Sequence, residues 1–146
     1  MRAVLDVNVL IAALISGAGA SPELLRRWLS GGFELVVSDQ LLAETSRALA
    51  YPKVRARVSA SEASAFIELL RATATMAMDA PKVSRRSRDP GDDYLLALAE
   101  SVGAMIVSGD RDLLALSPRL PVLAPADFLK QLRAGDESST APPVRT

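Results

Sequence analysis

The sequence predicts an α/β fold, with a central parallel sheet and helices on both of its faces. Two observations carry that expectation. Short apolar runs alternate with helical segments along most of the chain, with no internal repeat, and such alternation marks a parallel sheet joined by crossover helices. The segment Asp92 to Val102 is apolar nearly all round, as a helix is when other elements cover it on every side. A chain of 146 residues, 49% of them hydrophobic, suffices for one domain with a substantial core.

The elements follow in order. Arg2 to Leu5 reads as a short buried strand and Val9 to Ile15 as a helix, with Asn8 as a possible cap. A Gly/Ala loop follows. Ser21-Pro22-Glu23 then starts a helix, Ser as N-cap and Pro in the first helical position, and Gly31-Gly32 ends it. "FELVVS" is the second strand, and Ser38 caps a helix from Asp39 to Leu49 that stops before Pro52. "SASEASAFIELLRATA" is amphipathic, with Ala63, Phe66, Ile67 and Leu70 on one side. "TMAM" is a third strand, and residues 80–91 form a polar, basic loop. The buried helix, the strand "AMIVS", the short helix "DLLAL", the strand "LPVLA" and a helix from Pro125 to Leu132 complete a body of residues 1–132. Residues 133–146 are Gly, Ser, Thr, Pro and charge, with little to bury, and are expected to be a disordered tail.

Absences narrow the chemistry. The chain has no Cys and no His, so it has no thiolate nucleophile, Cys-ligated zinc or imidazole base. Carboxylates, hydroxyls, amides and basic side chains must carry any catalysis, and carboxylates select hard ions such as Mg²⁺ and Mn²⁺. Lys+Arg and Asp+Glu both number 17, so there is no global pull toward nucleic acid. The apolar start of the chain imitates a secretory signal, but Asp6 and Asn8 interrupt it. No stretch approaches a membrane span, and the expectation is a soluble, cytoplasmic protein.

In a parallel sheet, ligands gather beyond the carboxyl ends of the strands. Asp6 directly follows the first strand, and Asp110 follows "AMIVSG". Each also has a plain reading as the N-cap of the next helix. Asp89, Pro90 and Asp92 already serve the start of the buried helix, which leaves Asp93 as a surplus carboxylate on its first turn. Glu44 sits at the edge of the apolar stripe of its helix, with pairing to Arg47 as the plain alternative. Asp112 reads as a first-turn acid. Acids from distant parts of the chain thus converge on one end of the sheet, where repulsion between them would be relieved by divalent cations.

The ordered segments "AVLDVNVLIAALIS", "LVVSDQLLAETSRALAYPKV", "RDPGDDYLLALAESVGAMIVSGDRDLLAL" and "LPVLAPADFLKQL" together resemble a PIN domain, especially the VapC-like toxins of bacterial toxin–antitoxin systems. The resemblance covers Arg2 to about Leu132. It implies a three-layer α/β/α fold and a Mg²⁺- or Mn²⁺-dependent ribonuclease. Asp6 matches the acid after the first strand, with Asn8 as its polar neighbour. Glu44 matches the helix acid, Asp93 the acid opening the buried helix and Asp110 the acid after "IVSG". Asp112 matches an additional, more variable acid, and Ser108 a common small hydroxyl. Val7 departs from the Thr that many such domains carry there.

On this reading the acids Asp6, Glu44, Asp93, Asp110 and Asp112 hold the metal, with Asp6 and Asp110 as direct ligands. Lys82, Arg85, Arg86 and Arg88 are candidates to contact RNA phosphates. The implied partners are RNA, a cognate antitoxin and a second copy of the chain. Two alternatives stand beside it. A Mg²⁺-dependent phosphatase of the haloacid-dehalogenase type wants Asp-x-Asp after the first strand, whereas this chain has Asp6-Val7-Asn8. A non-catalytic RNA-binding module would tolerate loss of the acids, and none is lost.

Overall fold

The first strand of the chain, β1 (Arg2–Leu5), lies at the centre of a five-stranded sheet whose paired strands all run parallel. A computed structural model describes residues 1–81, 93–117 and 119–139. The other strands are β2 (Glu34–Val37), β3 (Thr75–Met76), β4 (Met105–Val107) and β5 (Val122–Leu123), in the order β3-β2-β1-β4-β5. Ala3 pairs with Leu35 on one side and Met105 on the other, and Leu5 pairs with Val107. Ala3, Val4 and Leu5 are all fully buried, which is why this strand is apolar at successive positions: both of its faces are covered.

The helices are α1 (Val7–Ile15), α2 (Ala20–Leu29), α3 (Asp39–Leu49), α4 (Pro52–Arg55), α5 (Ala60–Thr73), α6 (Asp93–Val102), α7 (Arg111–Leu114) and α8 (Pro125–Ser139). From β1 through β2 to β3 the chain steps outward on one side of the sheet. It then returns to β4 on the other side of β1. Right-handed crossovers therefore set α1 to α5 on one face and α6 and α7 on the other. The contacts agree, since α3 touches α1 and α5 while α6 lies on β1 and β4. The α/β class with flanking helices is as the sequence led us to expect.

Several boundaries differ. Helix α1 starts at Val7 because Asp6, not Asn8, is its N-cap. Helix α2 starts at Ala20, with Gly19 as N-cap at φ 116°, a conformation that suits glycine. Ser21 and Pro22 then fall within its first turn, where a missing N–H costs nothing. The single turn α4 begins with Pro52 in a position proline favours. Helix α8 runs on to Ser139 rather than ending at Leu132, and Asp136 on it forms an ion pair with Arg27 of α2. Residues 140–146 of the expected tail lie outside the described residues. Among the described residues, no single helix is long and apolar enough to cross a membrane.

Candidate active site

Strand order reverses direction between β1 and β4, and the carboxyl ends of these two strands flank the crevice where open α/β sheets bind ligands. Asp6 follows β1. Its backbone N–H still bonds to the Val107 carbonyl of β4 at 3.0 Å, so the side chain is carried past the sheet edge and caps α1. One oxygen, Oδ1, accepts from the Val9 N–H at 2.9 Å. The other, Oδ2, accepts from the Ser108 hydroxyl at the end of β4. Burial pushes the Asp6 carboxyl above its ordinary range, the two hydrogen bonds pull it back, and nearby Asp110 raises it again by repulsion.

Ser108 is fully buried and does two jobs with one oxygen. It donates to Asp6 and accepts from the Asp110 N–H at 2.9 Å. Asp110 in turn caps α7 through Oδ1, which accepts from the Asp112 N–H at 2.8 Å. Asp6, Ser108 and Asp110 thus form a continuous chain across two adjacent strands. Ser108→Ala should leave Asp6 Oδ2 without its buried donor. The expected cost is about 1–3 kcal/mol in urea unfolding at neutral pH, and unchanged stability would remove Ser108 from this role.

The other expected residues are placed as follows. Asp93, at the start of α6, is buried at 3% exposure and engaged with other groups. Glu44 is half-buried on α3, and Arg47 donates to it at 2.9 Å, the plain pairing already considered. Asn8 is exposed on the first turn of α1, and Asp112 is half-buried on α7. Lys82, Arg85, Arg86 and Arg88 lie outside the described residues, as do Asp89 and Asp92. The structure brings Asp6 and Asp110 together through Ser108. Among the described residues it gathers no three acids closely enough to hold a metal ion.

As a pair, Asp6 and Asp110 fit a hard divalent cation by donor chemistry: both are carboxylates, and their mutual repulsion is what a cation would relieve. One further acid at this end of the sheet escaped the sequence reading. Asp79, just beyond β3, accepts from the Gln40 N–H of α3 at 2.9 Å through Oδ2, while its buried Oδ1 has no hydrogen-bond partner among the described residues. An acid after a strand was the signal used for Asp6 and Asp110. The same signal was present here, since Asp79 directly follows the expected strand "TMAM", and it was not applied.

Solved structures share this architecture. PAE2754 from Pyrobaculum aerophilum matches with a TM-score of 0.64 at 19% identity, over 92% of this chain and 96% of its own. VapBC2 from Rickettsia felis matches with a TM-score of 0.59 at 11% identity, over 85% of this chain and 98% of its own. VapC20 from Mycobacterium tuberculosis gives 0.57 at 16% identity, over 79% and 95%. At these identities the likeness is one of fold. No curated protein matches the chain. The family model for the PIN domain matches residues 2–112, a span that runs from β1 and Asp6 through Ser108, Asp110 and Asp112. By that match over most of its length, the chain belongs to the PIN domain family.

Proposed function

We propose that this protein is an endoribonuclease that hydrolyses RNA phosphodiester bonds with Mg²⁺ or Mn²⁺, and that it acts as the toxin of a toxin–antitoxin pair. The observation that carries the reading is the coupled pair Asp6 and Asp110, held by Ser108 at the reversal point of the sheet. Burying one carboxylate beside another is unfavourable unless something offsets the charge. Family membership supports the reading, and so does the fold shared with VapC20, a sarcin–ricin loop cleaving toxin. The toxin role implies a cognate antitoxin as partner, a cytoplasmic setting and self-association.

Asp6 and Asp110 would hold the cation, with Glu44, Asp93 and Asp112 completing its surroundings. When bound, such a cation supplies hydroxide near neutral pH and offsets charge on the phosphoryl oxygens. The chain's own residues do the positioning. The Val9 N–H and the Ser108 hydroxyl fix the Asp6 carboxylate, and the Asp112 N–H fixes Asp110. Glu44 must exchange Arg47 for the site. That pair is surface-exposed, with Arg47 at 62% and Glu44 at 36% side-chain exposure, so breaking it costs at most about 1 kcal/mol.

A second reading has its own observation. Asp6 and Asp110 are both helix N-caps, which accounts for them in a module without catalysis. Cleavage of RNA with Mg²⁺, with Mn²⁺ and with chelator separates the two. The expected result is cleavage in either ion, its loss with chelator and its return with excess metal, together with calorimetric Mn²⁺ binding that Asp6→Asn weakens at least about tenfold. Cleavage that survives chelation overturns the metal role. No cleavage under any condition leaves the capping account.

A further inference from the structure

The chain carries equal numbers of acidic and basic residues, so an RNA strand must be held by charge concentrated locally. Outside the candidate site the described residues carry such charge in two places, the exposed Lys53, Arg55 and Arg57 on and just after α4 and a second that lies in a groove. A groove of about 450 Å³ runs between the loop that follows α1, the start of α2, and α8. Gly19, Ala20, Ala126 and Leu129 line it, and Glu23, Arg26, Lys130 and Arg133 supply its charge. Arg26 bonds Glu23 at 2.8 Å, which satisfies the one acid. Lys130 and Arg133 are exposed and make no direct ion pair or hydrogen bond among the described residues, although Arg133 is near enough to Glu23 to favour its charged form, and the lining holds three cations against one anion.

We propose that this groove is a docking surface for the RNA backbone, with Lys130 and Arg133 contacting phosphates outside the cleavage site. The inference rests on the ribonuclease reading and deepens it. Position allows it: α1 has its N-cap at Asp6 and its far end at the groove, a helix of nine residues and so about 14 Å long. The lining favours RNA over a protein segment. Protein partners anchor large apolar side chains in pockets, or accept exposed ones. Here the uncharged part of the lining is glycine and alanine, apart from Leu129, which is already buried in the core. None of the exposed large hydrophobic residues, Met1, Leu29, Tyr51, Met76 and Met78, belongs to it. Net positive charge is what the groove offers, and phosphates are what Lys and Arg recognise without reading sequence.

The test compares the wild-type chain with the double variant Lys130→Ala, Arg133→Ala, after a melting curve confirms that both fold. Two measurements are made: cleavage of an RNA fragment of two or three nucleotides, and binding of a long single-stranded RNA across a series of salt concentrations. The expected variant cuts the fragment like the wild type, binds the long RNA about tenfold more weakly, and shows a log–log salt slope shallower by about 1.4, two contacts' worth. Unchanged affinity and slope overturn the groove as an RNA site. So does a wild type that binds no long RNA, or a groove-dependent affinity for polyglutamate alone, which would assign the surface to an acidic protein partner. If neither protein cuts the fragment or the long RNA in Mg²⁺ or Mn²⁺ but long-RNA binding depends on the groove as expected, the ribonuclease reading fails and the docking surface stands.

Discussion

Asp6→Asn should abolish RNA cleavage and, at neutral pH, raise the melting temperature. Removing a ligand that contributes several kcal/mol of transition-state stabilisation costs at least about 100-fold in rate. The stability gain follows from the direction of the shift at Asp6, which burial and Asp110 together push upward against its hydrogen bonds. The native state therefore holds a proton that the unfolded chain has already released. Stability contributed by that proton is present at pH below the ordinary carboxylate range. It is lost as pH rises through the interval between the ordinary and the raised value, and it stays lost above.

Asparagine has no charge to desolvate and none to oppose Asp110. It caps a helix about as well as aspartate, so the bond from the Val9 N–H survives. Its Nδ2 takes the place of Oδ2 and reverses the contact with Ser108, the amide donating to Ser108 Oγ and offsetting part of the gain. The expected gain at neutral pH is about 1 kcal/mol, a few degrees in Tm, vanishing toward acid pH. Melting curves of both proteins from acid to neutral pH check it. A variant that melts lower at neutral pH, or a difference that does not change with pH, would show that Asp6 is valued in the fold as a charged group.

Phe128→Ala should produce the largest loss of stability. Phe128 is fully buried on α8, and its ring meets Phe33 edge-on at a centroid distance of 5.2 Å. Deleting a buried phenyl removes apolar burial and leaves a cavity, at about 3–5 kcal/mol. Against a typical total of about 5–15 kcal/mol, that leaves the fold marginal. The measurement is the urea midpoint at constant slope. A loss under 1 kcal/mol would mean that α8 does not hold its place against Phe33 and α2 in solution.

Much of this was legible in the sequence because it is local. Runs such as "AVL" and "LVV" are apolar at every position, so they declare strands buried on both faces. The pairing of Glu44 with Arg47 is one helical turn long and could be read directly. What was not legible depends on contacts distant in the chain. Asp6 and Asn8 could each cap α1. The choice falls to Asp6 because its N–H continues the pairing with Val107, which the sequence does not print. The double role of Ser108 exists only once Leu5 and Val107 are in register. The extension of α8 is accompanied by a tie between Asp136 and Arg27, 109 positions apart. The closeness of Asp6 and Asp110 was anticipated from their places after strands. Residues 82–92, which precede Asp93 in the chain, lie outside the described residues.

The central place of β1 sets an order of events during synthesis. It is made well before its neighbour β4, Met105–Val107, and Ser108 reaches Asp6 across 102 positions. The side chain of Arg2 likewise waits for the carbonyl of Val102, which it meets at 2.9 Å. Ribosomes add roughly 5–20 residues each second, so Asp6 exists for several seconds before its partners do. A nascent chain that stops short of position 108 of 146 holds half of the candidate site and cannot close the rest. For an enzyme proposed to cut RNA, this topology withholds the second half of the site from every nascent chain that has not yet reached Ser108 and Asp110, beside the ribosome's own RNA.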